Sequence, residues 1–139
     1  MQIFPLLEPP TLFISPAIDD WEIVREHDIR AVIDLDGGID AGVSTRPNDL
    51  VYVYFPIYDE ELPDLACLNA VGELGASLIR GGVPLLSHCG MGFNRSALIA
   101  GVILNKLGMP GPDVVRAIRS RRKGALFNDV FANYLEGLR

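Results

Sequence analysis

A strand pattern, a glycine-containing loop and a wholly apolar helix pattern follow one another in the second half of the chain. Residues 83–87 read as a strand, and residues 96–107 are apolar on almost every side when placed on a helix. A helix with that pattern is stable only where it is buried on all sides. The sequence therefore predicts a central helix that the chain enters from a strand, through the loop at residues 87–96.

The rest of the chain alternates between strand and helix patterns, with a polar, turn-rich loop at residues 37–50. Strands are predicted at residues 12–14, 31–35, 51–55 and 83–87. Helices are predicted at residues 18–24, 64–80 and 96–107, then one that opens with Pro112 and one capped by Asn128 or Asp129. We expect one α/β domain over residues 1–139, with a mainly parallel central sheet of about four to five strands flanked by helices. Ligands of such sheets bind beyond the carboxyl ends of the strands.

Composition narrows the classes of function. Hydrophobic residues make up 49% of the chain and charged residues 22%, which supplies a core and excludes a disordered chain. The net charge of −6 argues against nucleic acid or an anionic membrane as the main partner, since both attract basic surfaces. The first ten residues lack a basic start and contain prolines. We therefore expect neither a signal peptide nor a membrane anchor, and a cytoplasmic location.

Cysteine and histidine are sparse. The chain has two of each, Cys67 and Cys89 with His27 and His88. This is too few for a zinc cluster and gives no disulfide framework. Cys67 falls in a predicted helix, and we expect it in the core. His88 and Cys89 are neighbours at the end of a predicted strand, which is the first sign of a reactive site.

Residues 87–96 read SHCGMGFNRS and combine a thiol, two glycines and an arginine. Glycines let the backbone turn tightly, so that successive N–H groups at a helix N-terminus can point at one oxyanion. Arg95, six residues after Cys89, can fold back and hold two oxygens of a phosphate. The same positive surroundings favour the thiolate form of Cys89 at neutral pH. The segment predicts a nucleophile inside an oxyanion cradle; the alternative is a glycine-rich turn with a buried thiol and a surface arginine.

This segment resembles the signature His-Cys-x-x-Gly-x-x-Arg-Ser/Thr of the protein tyrosine phosphatase superfamily, and it is most similar to the small dual-specificity branch. The resemblance implies hydrolysis through a phosphocysteine on Cys89, with Arg95 as phosphate clamp and neither metal nor cofactor. Ser96 would stabilise the leaving thiolate, and His88 would hold the loop and favour the thiolate. The implied phosphate cradle consists of the amides of Gly90, Met91, Gly92, Phe93, Asn94 and Arg95. Met91 stands where many members have alanine, which alters the rim of the pocket.

The resemblance also implies a general acid on a loop upstream of the cysteine. Residues 55–64 read FPIYDEELPD, and Asp59 lies a few residues beyond a proline, as in small dual-specificity members. Asp59 would protonate the leaving group and then activate water. Asp64 is the next candidate, although it also suits a helix cap. Asn128 resembles an asparagine of dual-specificity members, and a helix cap explains it equally well.

The sequence thus predicts a metal-independent phosphatase that acts on a phosphorylated protein or peptide. One alternative is an RNA 5′-phosphatase, whose motif shares the Gly-Phe-Asn-Arg of residues 92–95. The net negative charge and Asp59 argue against it. A second alternative is an inactive phosphopeptide-binding module, which usually lacks the cysteine, the arginine or the acid. The sequence leaves the oligomeric state open.

Overall fold

The computed structural model describes residues 1–9 and 11–139. Across these residues, strands and helices follow in the order β1 (Phe4–Pro5), β2 (Leu12–Ser15), α1 (Trp21–Glu26), β3 (Ala31–Asp34), β4 (Val51–Tyr54), α2 (Leu65–Arg80), β5 (Leu85–His88), α3 (Arg95–Lys106), α4 (Gly111–Arg121) and α5 (Asp129–Glu136). The predicted alternation of strands and helices is confirmed. Strand β1 was not predicted from the sequence.

The strands form one five-stranded sheet in the order β1-β2-β5-β3-β4. Only β1 runs antiparallel to its neighbour, so the sheet is mainly parallel as predicted. The central strand β5 pairs with β2 on one side and β3 on the other, and His88 is in register with both Ser15 and Asp34. The carboxyl ends of β2, β5 and β3 therefore meet at one edge, where β5 delivers Cys89.

Side chains of the strands alternate between two apolar layers, as the period of a strand requires. Leu12 and Ile14 face the larger layer, which also contains buried residues of α2, α3, α4 and α5. Phe13 faces the smaller layer, where α1 contributes Val24 and Trp21. In α3, every residue from Ser96 to Leu104 is buried. The prediction of a central helix behind the glycine-containing loop is confirmed.

Polar caps fix the helix starts. The side chains of Asp20, Asp64 and Asn128 each accept a backbone N–H from the first turn of their helix. Such caps satisfy donors that have no partner within the helix.

Two expectations need correction. Helix α4 begins at Gly111, so that Pro112 is its second residue. Cys67, which was expected in the core, is exposed in the first turn of α2, because it lies outside the buried face of the helix, which begins at Leu68.

None of the helices in the described part of the chain combines the length and apolarity needed to cross a membrane.

Candidate active site

The loop between β5 and α3 surrounds a buried sulfur. Cys89 is 2% exposed, and its Sγ accepts the backbone N–H of Gly92 at 3.2 Å. The hydroxyl oxygen of Ser96, in the first turn of α3, lies 3.4 Å from the same sulfur. Both groups can donate to a sulfur that carries negative charge. The sulfur also lies at the N-terminal end of α3, where the helix dipole is positive.

Gly92 has a backbone conformation that only glycine adopts without strain, with φ at +76°. A Cβ on this residue would lie 2.6 Å from the nitrogen of Pro16 and 2.8 Å from the carbonyl carbon of Ser15. The segment after β2 therefore presses directly against the loop. Ala17 also donates its N–H to the carbonyl of Gly90 at 3.2 Å. The sequence did not assign this supporting role to residues 15–17.

Arg95 folds back over the loop toward Gly90 and Asp36. Its Nη1 donates to Oδ1 of Asp36 at 3.1 Å, and its Nη2 lies 3.3 Å from the position a Cβ on Gly90 would occupy. Its Nε is buried and has no hydrogen-bond partner within the part of the chain that the structure describes. Arg95 also lines an open cleft of about 400 Å³. The other lining residues are Gly37, Pro56, Ile57 and Tyr58.

The two candidate acids have different surroundings. Oδ2 of Asp59 accepts the side-chain N–H of Asn94, a loop residue, at 3.4 Å. The carboxylate of Asp64 instead caps α2 by accepting the N–H of Cys67 at 3.1 Å. Of the two, the structure brings Asp59 to the loop and uses Asp64 as a helix cap.

Two asparagines connect the Asp59 segment to the loop and to α5. Asn128 donates from its side chain to the carbonyl of Asp59 at 3.0 Å, while its backbone N–H donates to Oδ1 of Asn94 at 3.0 Å. Oδ1 of Asn128 also accepts the N–H of Phe131, so the residue caps α5 as well. The sequence had assigned Asn94 only a backbone role. Its side chain is buried and links the acid to the helix cap.

A hydrogen-bonded network of buried and half-buried groups lies beside the loop, around His88. Nε2 of His88 is 2.6 Å from Oδ2 of Asp40 and 3.6 Å from Oδ1 of Asp34. The hydroxyl of Tyr52 donates to Oδ2 of Asp34 at 2.5 Å and accepts the N–H of Asp40 at 2.9 Å. Sequence reasoning missed these partners, because Asp40 belongs to the loop at residues 37–50 and Tyr52 to a strand.

Burial dominates the electrostatics of this network. It raises the pKa of the Asp34 carboxyl, and hydrogen bonds from Tyr52 and the N–H of Asp36 oppose that rise. Burial and the hydrogen bond to Asp34 raise the pKa of Tyr52. Ligand atoms of Asp34, Asp40 and His88 lie within 4.8 Å of one another, a spacing that a metal ion could bridge. Since direct hydrogen bonds already engage these atoms, we interpret the group as a support for the loop.

Large apolar side chains stand exposed around the entrance. Tyr58 is 74% exposed, and Met91 and Phe127 are each 67% exposed. The guanidinium of Arg122 stacks on Phe93, with its central carbon 3.9 Å from the ring centroid, and approaches the carbonyl of Met91 at 3.4 Å. We call Tyr58, Met91 and Phe127 the apolar rim.

A parallel sheet whose central strand leads through a cysteine loop into a buried helix is the architecture of the small dual-specificity phosphatases, and the predicted resemblance is confirmed for the fold. Human DUSP28 matches with a TM-score of 0.81 and 20% identity, over 96% of this chain and 90% of its own. A mouse dual specificity phosphatase complexed with zinc tungstate matches with a TM-score of 0.80 and 21% identity, over 96% of this chain and 84% of its own. The human tyrosine phosphatase-like serine/threonine/tyrosine-interacting protein matches with a TM-score of 0.77 and 21% identity, over 96% of this chain and 93% of its own. No protein-family model and no curated protein sequence matches the chain.

Replacement of Tyr52 by phenylalanine tests the network. We expect Tyr52→Phe to lower the free energy of unfolding by about 1–3 kcal/mol, because Asp34 loses the donor that satisfies its buried carboxylate. Chemical denaturation followed by circular dichroism measures the change. Tyr54→Phe is the matched control, since its hydroxyl only accepts the N–H of Gly38 at an exposed position. A loss no larger than that of the control would contradict the network.

The raised pKa of Tyr52 also sets the direction of the pH dependence. A tyrosine in the unfolded chain ionises near pH 10, whereas the folded protein keeps the Tyr52 hydroxyl protonated to higher pH. The stabilisation is therefore complete below about pH 10 and is lost as the pH rises through the folded value. The stability advantage of the wild type over Tyr52→Phe should be constant from about pH 7 to 9 and shrink above about pH 10.

Proposed function

We propose that the protein is a cysteine-dependent phosphomonoesterase that works through a phosphocysteine on Cys89. The observation that carries this proposal is the loop itself. A buried sulfur accepts the N–H of Gly92, and Arg95 closes the loop with an Nε that is buried and unpartnered among residues 1–9 and 11–139. A phosphate oxygen would supply that partner. The similar mouse phosphatase is complexed with zinc tungstate, which contains a tetrahedral oxyanion.

In the first step, the sulfur of Cys89 attacks phosphorus, and the bond from phosphorus to the leaving oxygen breaks. The carboxylic acid of Asp59 gives its proton to that oxygen, so an alcohol or phenol departs. The guanidinium of Arg95 and the N–H groups of residues 90–95 hold the three remaining oxygens. Donors that are fixed in advance stabilise the charge that develops there without reorganising during the reaction.

In the second step, water attacks the phosphocysteine and the sulfur–phosphorus bond breaks. The carboxylate of Asp59 takes a proton from the water, and inorganic phosphate leaves. The departing thiolate is stabilised by the N–H of Gly92 at 3.2 Å and the hydroxyl of Ser96 at 3.4 Å. Asn94 and Asn128 would keep Asp59 at the loop through both steps.

The surface around the entrance favours a phosphorylated protein or peptide over RNA. The Asp59 segment continues into Glu60 and Glu61, and Asp36 stands next to Arg95. This negative charge would repel the neighbouring phosphates of a nucleic acid. The apolar rim instead suits the side chains that flank a phosphorylated residue.

An inactive phosphopeptide-binding module is the second candidate, because a protein named tyrosine phosphatase-like has the same fold. The contacts around Cys89 and Asp59 favour catalysis over binding alone, since both nucleophile and acid meet one loop. Turnover separates the two candidates.

Hydrolysis of p-nitrophenyl phosphate by the wild type and by Cys89→Ser tests the proposal. We expect turnover by the wild type and a loss of at least about a thousandfold in Cys89→Ser, because serine is not ionised at neutral pH. Cys67→Ser is the matched control and should keep full activity, since Cys67 is exposed on α2. Hydrolysis that survives in Cys89→Ser would refute the phosphocysteine, and absence of turnover in the wild type would favour the binding module.

Asp59→Asn tests the general acid. We expect a loss of about a hundredfold or more in kcat for alkyl phosphates, which have poor leaving groups, and a much smaller loss for p-nitrophenyl phosphate. Asp64→Asn is the matched control, because asparagine caps a helix as well as aspartate does. Equal slowing for all leaving groups in Asp59→Asn, or a dependence on leaving group in Asp64→Asn, would reassign the acid.

A substrate panel tests the class of substrate. We expect kcat/KM for phosphotyrosine peptides to exceed that for 5′-phosphorylated and 5′-triphosphorylated RNA by about tenfold or more, because the acidic entrance repels the RNA backbone. The assay measures phosphate release at physiological salt concentration. Faster release from either RNA would identify the protein as an RNA 5′-phosphatase.

A further inference from the structure

The phosphate-binding arginine has an acidic partner that sequence reasoning did not identify. Oδ1 of Asp36 accepts a hydrogen bond from Nη1 of Arg95 at 3.1 Å. The Arg95 side chain is mostly buried, whereas about a third of the Asp36 side chain is exposed. A buried guanidinium needs partners for its donors. Asp36 supplies one of them before any substrate binds.

The contact leaves one edge of the guanidinium free. Nε and Nη2 form the edge that can grip two oxygens at once, and Nη1 lies on the other side of the planar group. Asp36 engages Nη1, while Nε stays buried and unpartnered within the described residues. The carboxylate therefore leaves the two-donor edge unoccupied and fixes the rotation of the group about its stem.

The backbone of Asp36 is itself held in place. Its N–H donates to Oδ1 of Asp34 at 2.9 Å, and Asp34 is held by the hydroxyl of Tyr52. The preceding Leu35 donates its N–H to the carbonyl of His88 at 2.9 Å, which joins this segment to the residue before Cys89. A carboxylate on such a fixed backbone can define the position of a long, flexible arginine.

Gly90 provides the space for this pair. A Cβ on Gly90 would lie 3.3 Å from Nη2 of Arg95 and 3.4 Å from Oδ2 of Asp36. The distance to Arg95 is tighter than nine in ten Cβ contacts and the one to Asp36 lies at the limit of ordinary contact, so a side chain at residue 90 would displace the pair by a few tenths of an ångström. The absence of a side chain at residue 90 and the acid at residue 36 thus belong to one arrangement.

We propose that Asp36 is a positioning residue, which orients Arg95 so that its Nε–Nη2 edge is ready for a phosphate group. The inference rests on the proposed function, in which Arg95 binds the phosphate of the substrate. It goes beyond that function by assigning the phosphate affinity of the site to a hydrogen bond outside the loop. The alternative is that Asp36 competes with phosphate for Arg95, so that it must release Arg95 before phosphate can bind.

Two substitutions separate the hydrogen bond from the charge. Asp36→Asn removes the negative charge but keeps an oxygen that can accept from Nη1, whereas Asp36→Ala removes both. Asp113→Ala is the matched control, since Asp113 also pairs with an arginine, Arg116, but at an exposed position of α4. Thermal melting of each variant verifies that it is folded.

Isothermal titration calorimetry with inorganic phosphate, repeated with tungstate, gives the affinity without requiring turnover. We expect Asp36→Ala to weaken binding about tenfold, because Arg95 must then be ordered by the ligand itself. Asp36→Asn should stay within about threefold of the wild type. The value of kcat/KM for p-nitrophenyl phosphate should follow the same order, and Asp113→Ala should match the wild type. Rescue by asparagine is the result that general destabilisation would not give.

Three results would overturn the proposal. Unchanged affinity in Asp36→Ala would make Asp36 a bystander, and binding more than about threefold tighter in either variant would make it a competitor. Equal losses in Asp36→Asn and Asp36→Ala would show that charge, and not the hydrogen bond, matters. The proposed function fails separately, if the wild type binds phosphate but hydrolyses no phosphomonoester. In that case the calorimetric order of the variants still decides the role of Asp36.

Discussion

A binding site for an anion requires polar donors that converge on one point and have no other partner. Burying such donors costs free energy, so their surroundings must hold them in place. Here the Nε of Arg95 is buried without a partner among the described residues, and the N–H of Gly92, in the loop between β5 and α3, donates to the sulfur of Cys89. The central strand fixes one end of the loop, and the buried part of α3 that begins at Ser96 fixes the other. Residues 15 and 16 press against Gly92 and close the remaining side.

Acidic side chains contact both His88 and Arg95 before a substrate arrives. Asp40 lies within hydrogen-bond distance of His88, and Asp36 holds Arg95. Both acids follow β3, and the buried Asp34 at the end of that strand connects them through Tyr52 and its own contact with Asp36. The arrangement gives His88 and Arg95 each an acidic partner while leaving the Nε–Nη2 edge of Arg95 open. Rigidity and an open binding edge therefore come from the same acids.

The parts of the site that could be predicted from the sequence are those encoded in consecutive residues. Cys89, Arg95 and Ser96 fall within one turn-rich segment, and together with its two glycines and its position between a strand and a buried helix they predict an oxyanion cradle. Asp36 and Asp40 gave no such signal, because a loop without periodicity does not reveal which strand end it will cover. The side-chain link from Asn94 to Asp59 was also hidden, since it depends on how a distant loop folds over the site.

The order of the strands explains why these separate segments meet. In a parallel sheet every strand ends at the same edge, and β5, β3 and β4 are consecutive neighbours. Cys89 follows β5, Asp36 follows β3, and the segment that contains Asp59 follows β4. Because β3 lies between β5 and β4, Asp36 lies between the strand end that carries Cys89 and the one that leads to Asp59. The hydrogen bonds from Leu35 to His88 and from Ile57 to Leu35 continue the sheet pairing beyond the strands and set the separation of the three segments. Sheet register, more than any single side chain, therefore determines the spacing between Cys89 and the segment that contains Asp59.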